Sequence, residues 1–174
     1  QPNARMAQEA RQVLLRNYEE YSTPEGADNF TAVEGAGYNA IASAAANRLS
    51  RLLRSAGLNP GDHIAICMEN HDRYLEVIWG CHYAGLVYTA ASSRLQSAEL
   101  EYIINDCGAR AYITSKYKAD QAAEVMSATP NVELRLMLDG SIDGYEAYES
   151  AVEAQSPEPL DEARGDDADH ALVP

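Results

Sequence analysis

The chain has 174 residues, 46% of them hydrophobic, and a formal net charge of −14 at pH 7. This length predicts one domain with a sizeable core and ragged ends. The negative charge argues against partners such as nucleic acid or an anionic lipid surface. We find no signal-peptide pattern and no apolar run approaching the ~20 residues that span a bilayer, and therefore expect no transmembrane segment.

The cysteines Cys67, Cys81 and Cys107 are odd in number and form no C-x-x-C pair. Cysteines in this pattern are typical of reduced thiols, so we expect a soluble, cytoplasmic protein. Cys67 and Cys81 stand in apolar surroundings in the sequence. We therefore interpret both as small core residues and not as nucleophiles.

Taken in chain order, residues 1–37 form an N-terminal arm with one predicted helix, Ala7 to Tyr21, which Pro24 and Gly26 end. From Asn39 to Ala56, apolar residues recur at helical spacing. Gly57 ends this second helix, and a turn at residues 59–61 follows.

The next part of the chain alternates short apolar runs with helical patterns. The predicted strands are His63 to Met68, Leu86 to Thr89, Ala109 to Thr114 and Val132 to Leu138. The predicted helices run from a cap at Asp72 to Gly85, from a cap at Ser97 to Gly108, from Lys118 to Ala128 and from Tyr145 to Gln155. Residues 38–155 are thus predicted to form an α/β subdomain with a doubly wound, mostly parallel sheet and flanking helices, similar to flavodoxin.

Two further expectations concern buried and solvated parts. In the helix after Asp72, we expect the buried stripe to comprise Tyr74, Leu75, Ile78, Trp79 and His82. Residues 156–174 contain two prolines and many carboxylates, so we expect an acidic, solvated linker toward a remainder of the polypeptide.

Ligands of an open parallel sheet bind at the carboxyl ends of its strands. Arg94 is the fixed cation of the loop after the second strand, beside two serines and a helix start, which suits a phosphate. The alternative is an exposed salt bridge to Glu99. Lys116, after the third strand, is a weaker candidate of the same kind.

Other candidate groups favour structural roles. His71 and His82 lie on different sides of a helix, and no Cys or carboxylate joins either of them at ligand spacing, so we predict no metal site. We interpret His82 as a hydrogen-bonded interior or boundary residue. No phosphate loop, dinucleotide fingerprint, nucleophile elbow or zinc-protease motif is found, and we assign no catalytic residue.

The order of motifs between residues 38 and 140 resembles the adenylate-forming (AMP-dependent) ligases, the family of acyl-CoA synthetases and fatty-acid–CoA ligases. The pattern L-x-P-G-D-x-[IV]-A is met at Leu58 to Ala65, and a helix starting at Asn70 ends in Ala84-Gly85. The loop N-x-R-L-x-x-x-E-L is met at residues 92–100, with Ser92 in place of the usual Asn. The segment Y-I-[IL]-x-D-x-G-A is similar to residues 102–109.

This resemblance implies an N-terminal part of an enzyme that joins a carboxylic acid to CoA with ATP and Mg²⁺, through an acyl-adenylate. The family's phosphate-binding loop and catalytic lysine have no counterpart in this sequence. The chain alone is therefore expected to be inactive, to bind no cofactor by itself and to pack against the rest of its own polypeptide. In some members the arginine matching Arg94 lies near the CoA phosphates.

The resemblance leaves one alternative open: a freestanding, non-enzymatic α/β module that binds a small ligand or a protein. We also expect an apolar surface that the rest of a ligase would cover. Such a surface would promote self-association of the isolated chain.

Overall fold

The computed structural model describes residues 35–160, with side chains from residue 44 onward. The chain divides into two compact units, residues 1–42 and residues 43–174, and all strands of the sheet lie in the second unit. The predicted helix Ala7 to Tyr21 and most of the acidic segment, residues 161–174, lie outside the described residues.

The centre of the fold is a parallel sheet of five strands in the order β2-β1-β3-β4-β5. The strands are β1 His63–Cys67, β2 Val87–Ala90, β3 Ala111–Ser115, β4 Leu134–Leu138 and β5 Glu146–Ala147. Every neighbouring pair is parallel, so all carboxyl ends lie at one edge. β1, β3 and β4 are buried on both faces, as their nearly continuous apolar sequences predict.

Helices cover both faces of the sheet. They are α1 Gly35–Ser55, α2 Tyr74–Tyr83, α3 Ser97–Asp106, α4 Ala119–Met126 and α5 Tyr148–Glu153, with a 3-10 turn at Lys116–Lys118 before α4. Side chains of α1, α2 and α5 share one core cluster with the sheet, and those of α3 and α4 share a second cluster on the opposite face. The α/β architecture with a doubly wound parallel sheet is therefore confirmed.

The predicted helix caps were wrong by one residue. The N-cap of α2 is Arg73, and Asp72 instead accepts a hydrogen bond from the Arg73 amide. The N-cap of α3 is Gln96, which forms a reciprocal capping box with Glu99. Ser97 is the first helical residue, and its hydroxyl donates to the Glu124 carboxylate.

The buried face of α2 also differs from the prediction. Its buried residues are Val77, Gly80 and Cys81, whereas Leu75 is 62% exposed and Trp79 is 49% exposed. A Cβ atom at Gly80 would lie only 2.5 Å from Leu49 Cδ2. The absence of a side chain at Gly80 thus lets α1 approach α2 closely. Leu75 and Trp79 are turned outward, whereas Tyr74 and Ile78 are partly buried, as the predicted stripe requires.

The end of the described chain departs from the single helix expected at Tyr145 to Gln155. Residues 146–147 pair with β4 as a fifth strand, and the helix begins only at Tyr148. Residues 156–160 are largely exposed but not detached, because Asn47 donates to the Pro157 carbonyl at 2.9 Å and Arg51 to the Glu158 carbonyl at 2.7 Å.

At the amino edge of the sheet, Arg110 joins three elements. Its guanidinium contacts the Asp62 carboxylate before β1 and the Glu133 carboxylate before β4, the latter at 2.7 Å. It also donates to the Gly57 carbonyl at 3.3 Å. Arg110 directly precedes β3, so these contacts hold the starts of three neighbouring strands together.

Candidate functional site

The carboxyl edge brings together the loops that follow β1, β2, β3 and β4. The loops after β1 and β4 meet where His71 Nε2 donates to Asp139 Oδ2 at 3.0 Å. The His71 side chain is 8% exposed, and Asp139 is 68 residues away in sequence. The sequence pattern around His71, which has no carboxylate at ligand spacing, does not reveal this contact, because it joins the loops after two strands that are separated in the sheet by β3.

The loop after β3 is tied to its neighbours in the same way. The Ser115 hydroxyl donates to the Glu69 carboxylate, and Lys116 Nζ donates to the Ser141 carbonyl at 2.9 Å. Lys116 was the weaker phosphate candidate of the sequence, and its ammonium group faces a backbone carbonyl of the β4 loop. On this side of the edge the polar side chains thus hold one another.

Arg94, in the loop after β2, is exposed. Its amide donates to the Ser92 hydroxyl at 3.3 Å, but its guanidinium has no hydrogen bond or ion pair with any residue that the structure describes. The alternative of a salt bridge to Glu99 is not formed. Glu99 Oε2 instead accepts from the Gln96 amide at 2.8 Å, in the capping box of α3.

Two side chains from after β3 support the Arg94 loop, and the sequence did not reveal them. Lys118 Nζ donates to the Ser93 carbonyl at 2.8 Å, and Gln121 Nε2 donates to the Leu95 carbonyl at 2.7 Å. The one sequence signal for a role at the site is that both residues follow the carboxyl end of β3. Their partners could not be inferred, because they depend on how α4 packs beside the loop.

The cysteines are confirmed as core residues. Cys67 and Cys81 are fully buried, and neither forms a disulfide. Burial raises the pKa of the Cys67 thiol and raises the pKa of the Cys81 thiol to about 12, so both thiols are protonated at neutral pH. Neither residue has the properties of an activated nucleophile.

The interpretation of His82 as an interior or boundary residue was wrong in part. His82 is exposed and makes an edge-on ring contact with Trp79, with 5.9 Å between ring centroids. Its position follows from the outward turn of the apolar stripe of α2. No polar side chain of the carboxyl edge contacts His82 within residues 44–160.

Away from the carboxyl edge, a shallow cleft of about 530 Å³ lies between the end of α1 and residues 155–160. Arg51 lines this cleft, and its guanidinium donates to the backbone carbonyls of Glu158 and Pro159. Across the described residues, no three His, Cys, Asp or Glu side chains are grouped as metal ligands would be. No helix among them has the length and apolarity needed to cross a membrane.

The chain has a parallel α/β sheet with polar loops at the carboxyl edge, an architecture typical of proteins that bind ligands at this edge. Comparison with protein families gives the particular assignment. The model of the family described as "AMP-binding enzyme" matches residues 39–173. The chain belongs to this family, and the resemblance to adenylate-forming ligases is confirmed.

Individual relatives agree with this assignment. The chain is 38% identical over 76 residues to a feruloyl-CoA synthase of Amycolatopsis sp, a match that covers 44% of this chain and 16% of that protein. It is 30% identical over 119 residues to a medium/long-chain-fatty-acid–CoA/3-oxocholest-4-en-26-oate–CoA ligase of Mycobacterium marinum, covering 65% of this chain and 22% of that protein. The matches thus span about a fifth of these relatives' length.

The fold is also found in solved structures. A crystal structure of the anthranilate CoA ligase AuaEII in complex with anthranoyl-AMP superposes with a TM-score of 0.64 at 20% identity, covering 67% of this chain and 23% of that one. At this identity the likeness concerns the fold. It confirms the α/β architecture independently of the sequence motifs.

Proposed function

We propose that the chain is the N-terminal part of an ATP-dependent, AMP-forming acyl-CoA synthetase. The complete enzyme would convert a carboxylic acid, ATP and CoA into acyl-CoA, AMP and pyrophosphate. The observation that carries the proposal is the family match over residues 39–173, together with named relatives that are CoA ligases. These relatives act on aromatic, fatty and steroid acids by name, so the acid is left as a class.

Within this reaction, Arg94 is proposed to contact a phosphate of CoA. Three observations support this role: the position after β2, the exposed side chain, and a guanidinium without a partner in the described part of the chain. An arginine binds phosphate through charge-assisted hydrogen bonds. Glu99, the expected competitor, is already engaged in a helix cap.

For ATP and Mg²⁺ we derive no step from these residues. At the carboxyl edge, Glu69 accepts from Ser115 and Asp139 accepts from His71, and the carboxylates within residues 44–160 are not grouped as a magnesium site. We propose that other segments of the complete ligase bind the nucleotide and the metal. The 174-residue chain is then a scaffold that carries one CoA contact.

The test is acid-dependent exchange of labelled pyrophosphate into ATP, which reports acyl-adenylate formation without CoA. The 174-residue chain should show no exchange above a protein-free blank with ferulate, decanoate or anthranilate. The full-length ligase should show exchange with at least one acid class. Exchange by the chain alone would contradict the proposal that other segments bind the nucleotide and the metal. A full-length protein that is inactive with every acid class would contradict the ligase assignment.

We further propose that the outward stripe of α2 contacts the remainder of the ligase. Leu75 and Trp79, one helical turn apart on α2, are 62% and 49% exposed, and Tyr88 in β2 is 40% exposed. The isolated chain should then self-associate at high concentration, and Trp79→Glu should weaken this association. Light scattering that reports a clean monomer for the unmodified chain would contradict the proposal.

A cytoplasmic location is part of the same proposal. Cys67, Cys81 and Cys107 are all free thiols, as expected in a reducing compartment. Fractionation of cells that produce the full-length protein would test it. Recovery in a membrane or secreted fraction would contradict it.

A further inference from the structure

The backbone of the Arg94 loop is held on both sides of Arg94. The carbonyl that precedes Arg94, Ser93 O, accepts from Lys118 Nζ at 2.8 Å. The carbonyl that follows it, Leu95 O, accepts from Gln121 Nε2 at 2.7 Å. Both donors are partly buried and come from residues 25 or 26 positions later in the chain. We call Lys118 and Gln121 the loop clamp.

Contacts from Ser92 hold the amides of Arg94 and Leu95 as well. The Ser92 hydroxyl accepts from the Arg94 amide at 3.3 Å, and the Ser92 carbonyl accepts from the Leu95 amide at 3.2 Å. The Cys67 thiol donates to the same Ser92 carbonyl at 3.7 Å. Arg94 thus has a backbone held by hydrogen bonds on both sides and an exposed side chain without a partner among the described residues.

The hydrogen bond from Gln121 leaves the other polar atom of its side-chain amide unsatisfied. Gln121 Oε1 is buried and has no hydrogen-bond partner among the described residues. If the amide were flipped, Oε1 would face the Leu95 carbonyl, and two hydrogen-bond acceptors would repel each other. The Nε2 donor must therefore face the loop. An unsatisfied buried oxygen is unfavourable, and it is retained here together with the hydrogen bond from Nε2 to the Leu95 carbonyl, which indicates that the loop conformation itself is required.

A fixed backbone favours ligand binding because little conformational freedom remains to be lost when the ligand arrives. We propose that Lys118 and Gln121 are positioning residues, which hold Arg94 in place for a phosphate of CoA. This inference rests on the proposed function of Arg94. Neither residue of the clamp touches the ligand in this proposal, since the Lys118 ammonium and the Gln121 amide face backbone carbonyls.

The first measurement asks whether the clamp orders the loop. Amide hydrogen exchange of Arg94 and Leu95 in the 174-residue chain should be about tenfold faster in Gln121→Ala and in Lys118→Met than in the unmodified chain, since each variant frees one flanking carbonyl. Lys116→Met is the matched control. It removes the same charge and a lysine-to-carbonyl hydrogen bond of similar length, but that bond ends at Ser141, so exchange of the two loop amides should not change.

The second measurement connects the clamp to CoA. In the full-length ligase, Gln121→Ala should raise KM for CoA about threefold, with kcat and acid-dependent pyrophosphate exchange unchanged. The substitution removes no charge, so a loss of electrostatic attraction cannot explain the effect. In an Arg94→Ala background, Gln121→Ala should raise KM no further, because the residue that it positions is absent.

The outcomes separate the two proposals. If Arg94→Ala raises KM for CoA but Gln121→Ala does not, the positioning role is wrong and the Arg94 contact stands. If Arg94→Ala leaves KM unchanged, the Arg94 contact is wrong, and positioning for CoA fails with it. Loop amides that exchange equally fast in Lys116→Met and Lys118→Met would also overturn the clamp, because the effect would then be general. Equal effects of Gln121→Ala in both backgrounds would overturn it as well.

Discussion

Arg110 and Arg94 lie at opposite strand ends of the same sheet, Arg110 at the amino edge and Arg94 at the carboxyl edge, and only Arg110 is paired with carboxylates. Arg110, at the amino edge, contacts two carboxylates and a backbone carbonyl. Arg94, at the carboxyl edge, has a clamped backbone and a guanidinium with no partner in the described part of the chain. A cation paired with carboxylates contributes modestly to the stability of the fold, whereas a cation held in place and left unpaired is available to a ligand.

Both edges depend on a common core, and the largest effect should come from damaging it. Ile113 is fully buried in β3, the strand between β1 and β4. Ile113→Ala should lower the free energy of unfolding by about 3 kcal/mol, because it leaves a cavity at the centre of the sheet. Urea denaturation measures this loss. Ile103→Ala, at a partly buried site, is the control and should lose less; an equal loss from the two variants would contradict a core centred on β3.

A smaller effect is expected from the side of the carboxyl edge where polar groups hold one another. Asp139 accepts from His71 and adopts φ of 60°, in the left-handed region. Asp139→Ala should cost roughly 1–2 kcal/mol, since it removes the hydrogen bond and places a less tolerant residue at positive φ. Asp139→Asn should cost less, because asparagine tolerates that conformation. An equal loss of unfolding free energy in the two variants would show that backbone conformation is not involved. A raised KM for CoA in either variant would show that Asp139 contributes to CoA binding as Arg94 is proposed to do.

The amino edge should respond to acid through Arg110. Arg110 lowers the pKa of Glu133, and a backbone hydrogen bond from Asn59 followed by Arg110 lowers the pKa of Asp62. The contribution of each carboxylate to stability is complete above its ordinary pKa, 4.5 for Glu133 and 3.8 for Asp62. It is lost as the pH falls through the lower pKa of the folded state.

Arg110→Met should therefore lower Tm by a few degrees at pH 7, and the difference from the unmodified chain should shrink at pH 3. The effect is small because these ion pairs are exposed to solvent. Thermal denaturation followed by circular dichroism at the two pH values measures it. A difference in Tm that is constant between them would show that the ion pairs are not its source.

The sequence predicted most of the sheet because its signals are local. The β1, β3 and β4 strands are apolar runs between turn residues, and the glycines after the helices mark their ends within one or two positions. The outward stripe of α2 was missed because close approach at Gly80 outweighs the apolar pattern. β5 was missed because two residues carry no periodicity, and they form a strand by pairing with β4.

The site was predictable in position but not in organisation. Arg94 could be singled out because a strand end, a cation and a helix start are adjacent in the sequence. The loop clamp and the His71–Asp139 pair could not, since each joins residues from 25 to 68 positions apart whose contact depends on packing. A sequence pattern therefore locates a loop at the carboxyl edge more readily than it reveals what holds the loop there.

The most direct test of the central claim compares the two arginines in one experiment. Tm and KM for CoA should be measured for the full-length ligase and for its Arg94→Ala and Arg110→Met variants. We predict that Arg94→Ala raises KM about tenfold and leaves Tm unchanged, and that Arg110→Met lowers Tm and leaves KM unchanged. An Arg94→Ala variant with a lowered Tm and the original KM would contradict the account.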